Sequence, residues 1–230
     1  MGGDLIMASF FKGSTLYRQD ANGNYRKVND ITPLHHWKLQ EETTSLAMDT
    51  GLITSNMTNN NALVADTGKI NRCYHFQGGT PSYLRSTNLQ NSNFTDFSIA
   101  FWGKLDGSAS EETIILMNDS LNRTLIAIEK RTDNIISFYI RSYDNQTQIA
   151  ATPSAVSLNT WINIICTFEG DSNTASIYIN NALIDSRDNI ELSYFYQNLR
   201  CNIGVDGLYG QGFNGYLEDV RFYDYAISGH

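Results

Sequence analysis

Apolar and polar residues alternate along most of this 230-residue chain, and turn residues break the alternation at short intervals. Successive side chains of an extended backbone point to opposite faces, so a period of two predicts strands. Helical periodicity is almost absent. The alternating runs are Leu34–Leu39, Asn71–Phe76, Ser82–Ser86, Phe97–Leu105, Thr113–Met117, Leu125–Glu129, Ile135–Arg141, Trp161–Phe168, Ala175–Ile179, Ala182–Asp185, Leu199–Ile203 and Gly215–Tyr223. The turn residues Gly78-Gly79-Thr80-Pro81 predict that the second and third runs pair. Asn180-Asn181 predicts a two-residue hairpin, because Asn tolerates the positive φ that such turns require. Short strands at this spacing predict an all-β, two-sheet sandwich. In Phe97–Leu105 one alternate set is Phe97, Ile99, Phe101 and Gly103, which faces a core. Ser98, Ala100, Trp102 and Lys104 form the other and belong on an outer or concave face. In Gly215–Tyr223 neither set is cleanly apolar, which suits a strand partly covered by a loop or lying beside a polar site.

The first 33 residues have a different character. Arg18–Asn29 is polar, with an Asn22-Gly23 turn signal between Tyr17 and Tyr25. Two readings stand side by side: a basic-aromatic arm that anchors to a partner, and a solvated hairpin. The division expected is an N-terminal segment over 1–33 and a main body over 34–230. Met1–Phe11 has no basic n-region, no long apolar run and no small-residue cleavage site, so no secretory signal is expected in it.

Composition narrows the function classes. Sixteen Lys and Arg against 24 Asp and Glu give a net charge of −8. That disfavours nucleic acid, which needs clustered cations to displace phosphate counterions, and it disfavours anionic lipid. With 41% hydrophobic and 17% charged residues, the chain can build a core. No stretch approaches the roughly 20 apolar residues of a membrane-spanning helix. Cys73, Cys166 and Cys201 are odd in number, lack CxxC spacing and sit in apolar strand contexts, which suits buried free thiols. One disulfide plus one free thiol is the alternative.

Several segments together resemble the concanavalin A-like lectin/glucanase superfamily, in its laminin-G-like jelly-roll branch. They are LHHWKL (Leu34–Leu39), MDTG (Met48–Gly51), CYHFQGG (Cys73–Gly79), FSIAFWGKL (Phe97–Leu105), NTWINIICTFEG (Asn159–Gly170), ASIYINNALI (Ala175–Ile184) and FNGYLEDVRFYDYAIS (Phe213–Ser228). The resemblance implies an antiparallel jelly-roll sandwich. Glucanases of this fold carry an E-x-D-x-E strand motif, whose alternation puts the carboxylates on one face. This chain lacks it. Glu218-Asp219 is the nearest segment, and adjacent strand residues are expected on opposite faces. No G-x-S-x-G elbow, zincin motif or nucleotide-binding glycine motif is found, and His35, His36 and His75 read as hydrogen-bonded strand residues. The chain is therefore expected not to be an enzyme.

The resemblance also implies a rim Ca²⁺ position, which here falls on Asp49 and Asp219. The plainer reading gives Asp49 an Asx-turn and Asp219 a local hydrogen bond. Aromatic candidates for a ligand platform are Tyr143, Tyr194, Tyr196 and Tyr209; the aromatics around 194–196 could equally cap the sandwich. The expected function is a lectin-like binding or adhesion module that recognises a glycan or a protein on a surface. It would be extracellular or virion-associated, such as a virion decoration or fibre, with homo-oligomerisation (a trimer, for instance) raising avidity. A purely structural assembly protein, and more remotely a divergent glycan-active enzyme, are the alternatives.

Overall fold

The computed structural model describes residues 9–12, 15–19, 25–27, 32–42, 45–65, 67–78, 82–89, 95–107, 110–119, 121, 123–141, 147–190, 199–205 and 212–227. Among them β1 (Ser9–Lys12), β2 (Thr15–Gln19) and β3 (Tyr25–Lys27) pair antiparallel in that order. The hairpin read from Asn22-Gly23 is the β2–β3 pair, and this three-stranded sheet shares no strand with the sheets that follow.

Sixteen further strands succeed one another as β4 (His35–Trp37), β5 (Leu46–Ala47), β6 (Met57–Asn60), β7 (Leu63–Ala65), β8 (Cys73–Gln77), β9 (Tyr83–Leu89), β10 (Phe97–Leu105), β11 (Glu112–Asn118), β12 (Thr124–Lys130), β13 (Ile136–Arg141), β14 (Thr147–Ala151), β15 (Trp161–Glu169), β16 (Thr174–Ile179), β17 (Ala182–Arg187), β18 (Leu199–Ile203) and β19 (Asn214–Tyr223). They form two eight-stranded antiparallel sheets. One runs β17-β16-β15-β10-β19-β8-β7, with β4 added against the end of β19. The other runs β14-β13-β12-β11-β18-β9-β6-β5. This is the two-sheet sandwich expected from the alternation.

The core lies between the sheets. Phe97, Ile99 and Phe101 are buried there, as their alternation requires. Phe97 is a hub. Its ring stacks on Phe168 at 5.7 Å and Phe222 at 6.1 Å, and meets Phe138 of the other sheet edge-on at 6.1 Å. Burying a phenylalanine contributes about 1.5–3 kcal/mol, so this cluster is a main cohesive element between the sheets. All three cysteines are free and buried. Burial pushes the Cys73 thiol up to about 11, and pushes Cys166 and Cys201 further. These are small hydrophobes, not reactive groups.

Two local expectations fare differently. The Asn180-Asn181 hairpin is present, with φ of 51° and 67°. The pairing across Gly78–Pro81 is not. β8 lies between β19 and β7, while β9 lies between β18 and β6, so the chain crosses from one sheet to the other there. Gly204 shows how closely the layers approach: at φ +91°, a Cβ would come 2.3 Å from Cδ1 of Phe76. At the far edge, Asp185 of β17 accepts the Ala151 amide of β14 at 3.0 Å and ties the two sheet edges together.

Candidate functional site

Cross-strand register turns the outer face of the first sheet into rows, because residues directly opposite each other share a face. One row reads Trp161, Lys104, Tyr216, His75, Leu63. The next holds Asn163, Trp102 and Glu218. A third runs Tyr178, Ile165, Ala100, Arg221, His36. The face is therefore rich in aromatic and hydrogen-bonding groups. His75 stacks on Tyr216 at 4.3 Å, and Trp161 tilts against the same ring at 6.4 Å. Lys104 Nζ sits 4.8 Å over Tyr216, and Lys69 Nζ 5.1 Å over Trp102. Beside them a depression of about 320 Å³ is lined by Trp102, Asn163, Ile165, Asp219, Arg221 and Tyr223, with Ile70 and Ile227 at its rim.

Two clamps build that rim. Ser98 Oγ donates to the Tyr225 carbonyl at 2.7 Å and accepts the Ile227 amide at 2.8 Å, laying the C-terminal segment beside the depression. Glu218 holds the opposite side. It is fully buried, and its carboxylate accepts the amides of Lys69 (2.6 Å), Ile70 (3.0 Å) and Asn71 (2.8 Å) and the side-chain amide of Gln40 (2.9 Å). Three consecutive N–H groups cradling a carboxylate form an anion nest. Here the protein supplies the anion and so fixes the loop that carries Lys69 and Ile70.

The expectation that Glu218 and Asp219 point to opposite faces is corrected. Trp102 pairs with Glu218, whereas Ala100 pairs with Arg221, so β19 inserts one extra residue. Asp219 sits in that bulge at φ 58°. Glu218 shares a row with Trp102, and Asp219 lines the depression with Trp102, so both lie on the outer side. Neither is poised as a catalytic acid. Glu218 is fully occupied by donors. Asp219 Oδ1 meets His36 Nε2 at 2.6 Å and Arg221 Nε at 3.0 Å, and Arg221 Nη2 reaches Oδ2 at 2.7 Å. Burial alone would raise Asp219, but the hydrogen bonds from His36 and Arg221 and their charges hold it below the usual carboxylate range. A general acid needs the opposite shift.

Asp49 is the anchor of the turn that follows β5. Its carboxylate receives four N–H donors: His35 Nδ1 at 2.6 Å and the Ser55 amide at 2.9 Å on one oxygen, and the His36 amide at 2.8 Å and the Gly51 amide at 2.9 Å on the other. Burial pushes this group up, and those hydrogen bonds with the His35 ring more than offset it, leaving Asp49 lowered. His35 itself is buried and stacks on Trp37 at 5.3 Å. The adjacent histidines thus serve two carboxylates, one toward the core and one toward the outer face. The donor set does not fit Ca²⁺, which needs six to eight oxygens with free lone pairs. Asp49 has all four lone-pair positions filled by N–H groups, and Asp219 faces a guanidinium. Among the described residues no group of three or more His, Cys, Asp or Glu is gathered as for a metal ion.

Of the ligand residues read from sequence, Tyr143, Tyr194, Tyr196 and Tyr209 lie outside the described residues. Trp102 and Lys104 were visible as the outward set of their strand. Trp161, Asn163, Tyr216 and His75 were not, because only cross-strand register brings them beside Trp102 and Lys104.

The comparisons with known proteins agree with this architecture. A family model described as the concanavalin A-like lectin/glucanases superfamily, of laminin-G type, matches residues 78–230. No curated protein matches the chain in sequence. Among solved structures, the receptor binding domain of botulinum neurotoxin C/D mosaic serotype is similar, with a TM-score of 0.70 and 15% identity over 88% of this chain and 50% of that one. The ligand binding domain of botulinum neurotoxin serotype D, solved in complex with N-acetylneuraminic acid, gives 0.69 and 13% over 86% and 48%. The binding domain of Paraclostridial Mosquitocidal Protein 1 gives 0.69 and 17% over 85% and 49%. The chain thus spans about half the length of these structures, and at such identity the likeness is one of fold.

Proposed function

Because the chain belongs to the concanavalin A-like lectin/glucanase superfamily, we propose that it is a non-enzymatic glycan-binding module whose ligand rests on the outer face of the β10–β15–β19 sheet. The observation that carries this reading is the depression beside Trp102. It combines an aromatic ring with the Asn163 side chain, the Asp219–Arg221 pair and Tyr223. A sugar needs an apolar platform for its C–H face and a few fixed polar groups for its hydroxyls. The saturated carboxylates argue against hydrolysis there, since neither is free to protonate a leaving group or activate water. The structural neighbour solved with N-acetylneuraminic acid supports a sugar-binding use of the fold.

The setting belongs to the same proposal. An exposed surface, such as a virion decoration or fibre, would present several copies, and a trimer would turn weak sites into avid ones. The separate three-stranded sheet of the N-terminal segment suits an anchoring role.

The test is a glycan-array screen of the multivalent protein, repeated with Trp102→Ala and with the Tyr194→Ala, Tyr196→Ala and Tyr209→Ala variants, each with and without EDTA. Binding lost with Trp102→Ala and insensitive to EDTA supports the reading. Binding that needs only the tyrosines would move the site off this face. A folded sample that binds no glycan would favour an assembly protein with a protein ligand.

A further inference from the structure

The depression beside Trp102 owes its existence to one small side chain. Ala100 stands at the middle of a block of residues on the outer face of the first sheet. Ile165 of β15 and Arg221 of β19 lie directly opposite it, and Ser98 and Trp102 are its same-face neighbours along β10. Same-face neighbours on a strand are about 7 Å apart and paired strands about 4.8 Å apart. A lone methyl among larger side chains at that spacing leaves a hollow. Ser98 is small as well, but it is fully buried, and the C-terminal segment it clamps carries Ile227 to the rim. On the opposite rim, the loop held by Glu218 supplies Ile70.

The lining divides by chemistry. Ile70, Ile165 and Ile227 reach the hollow from three separate segments and, with Ala100 and Trp102, make apolar walls. Ile70 is 62% exposed, whereas Ile165 and Ile227 are half-buried. The hydrogen-bonding groups are Asn163, the Asp219–Arg221 pair and Tyr223. The Asn163 side-chain nitrogen donates to the Phe101 carbonyl at 3.3 Å, leaving the amide oxygen to accept.

That division selects among occupants. The C6 hydroxyl of an ordinary hexose, set against the isoleucines, would give up water without gaining a partner. An acetamido group brings both an N–H and a carbonyl to the same walls, two polar groups to satisfy instead of one. An aliphatic side chain of a peptide would fill the walls but leave the Asn163 oxygen covered and unpaired. A 6-deoxyhexose has a methyl group where the hexose has CH₂OH, and it keeps its ring hydroxyls. Resting on the glycan-binding reading, we propose that the depression is a subsite for a 6-deoxyhexose. The sugar's methyl group sits over Ala100 among Ile70, Ile165 and Ile227, and its ring hydroxyls face Asn163 and Arg221.

The experiment titrates the intact, isotope-labelled protein with free sugars in pairs that differ only at C6: L-fucose against L-galactose, L-rhamnose against L-mannose, and 6-deoxy-D-glucose against D-glucose. N-acetylglucosamine is the acetamido probe. Backbone amide shifts give the affinities, and contacts from the sugar methyl to the isoleucine methyls are read by nuclear Overhauser effects. The variants are Ala100→Leu, which fills the hollow, and the double Ile70→Ser, Ile227→Ser, which makes two walls polar at sites outside the core. Leu183→Ser on edge strand β17, also exposed, is the control. Circular dichroism and thermal melting show that each variant is folded. In at least one pair the deoxy sugar should bind about tenfold more tightly than its C6-hydroxy partner; an apolar pocket rejects an added hydroxyl by at most about a hundredfold, and this one is open to water on one side. The preference should vanish in the double serine variant, binding should fall at least tenfold in Ala100→Leu, and Leu183→Ser should change nothing. Equal or tighter binding of the C6-hydroxy sugars, tighter binding of N-acetylglucosamine, or a deoxy preference that survives in the double serine variant would overturn the subsite. So would the absence of binding by all seven sugars. In each case a Trp102-dependent hit on the glycan array would leave the glycan-binding reading standing, and a blank array would remove both.

Discussion

Replacing Glu218 by Gln tests whether one carboxylate holds the loop that rims the site. The substitution keeps the shape of the side chain while removing its charge and replacing one acceptor oxygen by a donor. Oε1 now accepts from Gln40 and the Asn71 amide, and Oε2 from the Lys69 and Ile70 amides. A side-chain amide retains one oxygen, so two of the four donors would face an NH₂ group instead of an acceptor. Hydrogen bonds to a charged group contribute about 1.5–3 kcal/mol each, which sets an upper bound near 3–6 kcal/mol. Lys69, Ile70 and Asn71 are exposed, so their freed amides can turn to water and recover part of that loss. The expected destabilisation is about 2–3 kcal/mol. It should be visible as a lower urea midpoint with an unchanged slope. Native-state hydrogen exchange adds the local readout: the amides of residues 69–71 should lose protection while those of β10 retain theirs. A loss below about 0.5 kcal/mol with unchanged protection at 69–71 would show that Glu218 does not hold the loop, and the account of how Lys69 is positioned would fall with it.

Other consequences can be measured directly. Cys73, Cys166 and Cys201 are buried with raised thiol pKa values, so a thiol reagent at pH 8 should leave all three unmodified in native protein and label three per chain in denaturant; rapid native labelling of any one would contradict its placement. Asp49, Asp119 and Asp219 all have lowered native pKa values, for which the unfolded reference is about 3.9. Their contribution to stability is therefore complete above about pH 5 and is lost as pH falls below about 3.9 toward the native values. Urea titrations between pH 5 and pH 2 should show this slope, and Asp49→Asn should flatten it; an unchanged slope counts against the Asp49 network. Gly204→Ala combines a positive φ with a Cβ 2.3 Å from the Phe76 ring, so a loss of roughly 2–5 kcal/mol is expected from backbone strain and overpacking together. A loss under about 1 kcal/mol would mean that Phe76 yields without resistance.

Long strands with one buried face announced themselves, as β10 and β15 did, because alternation is a direct readout of a half-buried sheet. β5, β6 and β7 did not. They are two to four residues long, and β6 reads Met-Thr-Asn-Asn, so no period can be counted. The sheet assignment of β8 and β9 was also hidden, since a Gly-Pro turn looks the same whether the chain pairs back or crosses to the opposite layer. At the site, the outward direction of Trp102 and Lys104 was legible from their own strand. Their neighbours Trp161, Asn163, Tyr216 and His75 come from three other strands, and nothing local in those segments specifies the register. The role of Asp49 was half visible: an Asp before Thr-Gly suggests a turn, and its Gly51 amide bond is that turn. Its pairing with His35 and His36 depends on β4 lying alongside.

The mixed appearance of the β19 sequence has a single cause. Read with strict alternation, Tyr216, Glu218, Val220 and Phe222 form one set, and that set is half polar. The bulge at Asp219 changes the parity. Before it, the core residue is Leu217; after it, the core residues are Val220 and Phe222, all three buried. The outer residues become Tyr216, Glu218, Asp219, Arg221 and Tyr223, and the two faces separate cleanly. Asp is one of the few side chains that accept the left-handed backbone needed there, at φ 58°. The same insertion divides the strand's outer edge between two partners, β8 against residues 214–217 and β4 against 220–222. It follows that His36, Asp219 and Arg221 meet only because the register slips by one. Were the strand to alternate straight through Asp219, Val220 and Phe222 would turn outward and Arg221 would enter the core, so the bulge fixes the core and the polar side of the depression at once.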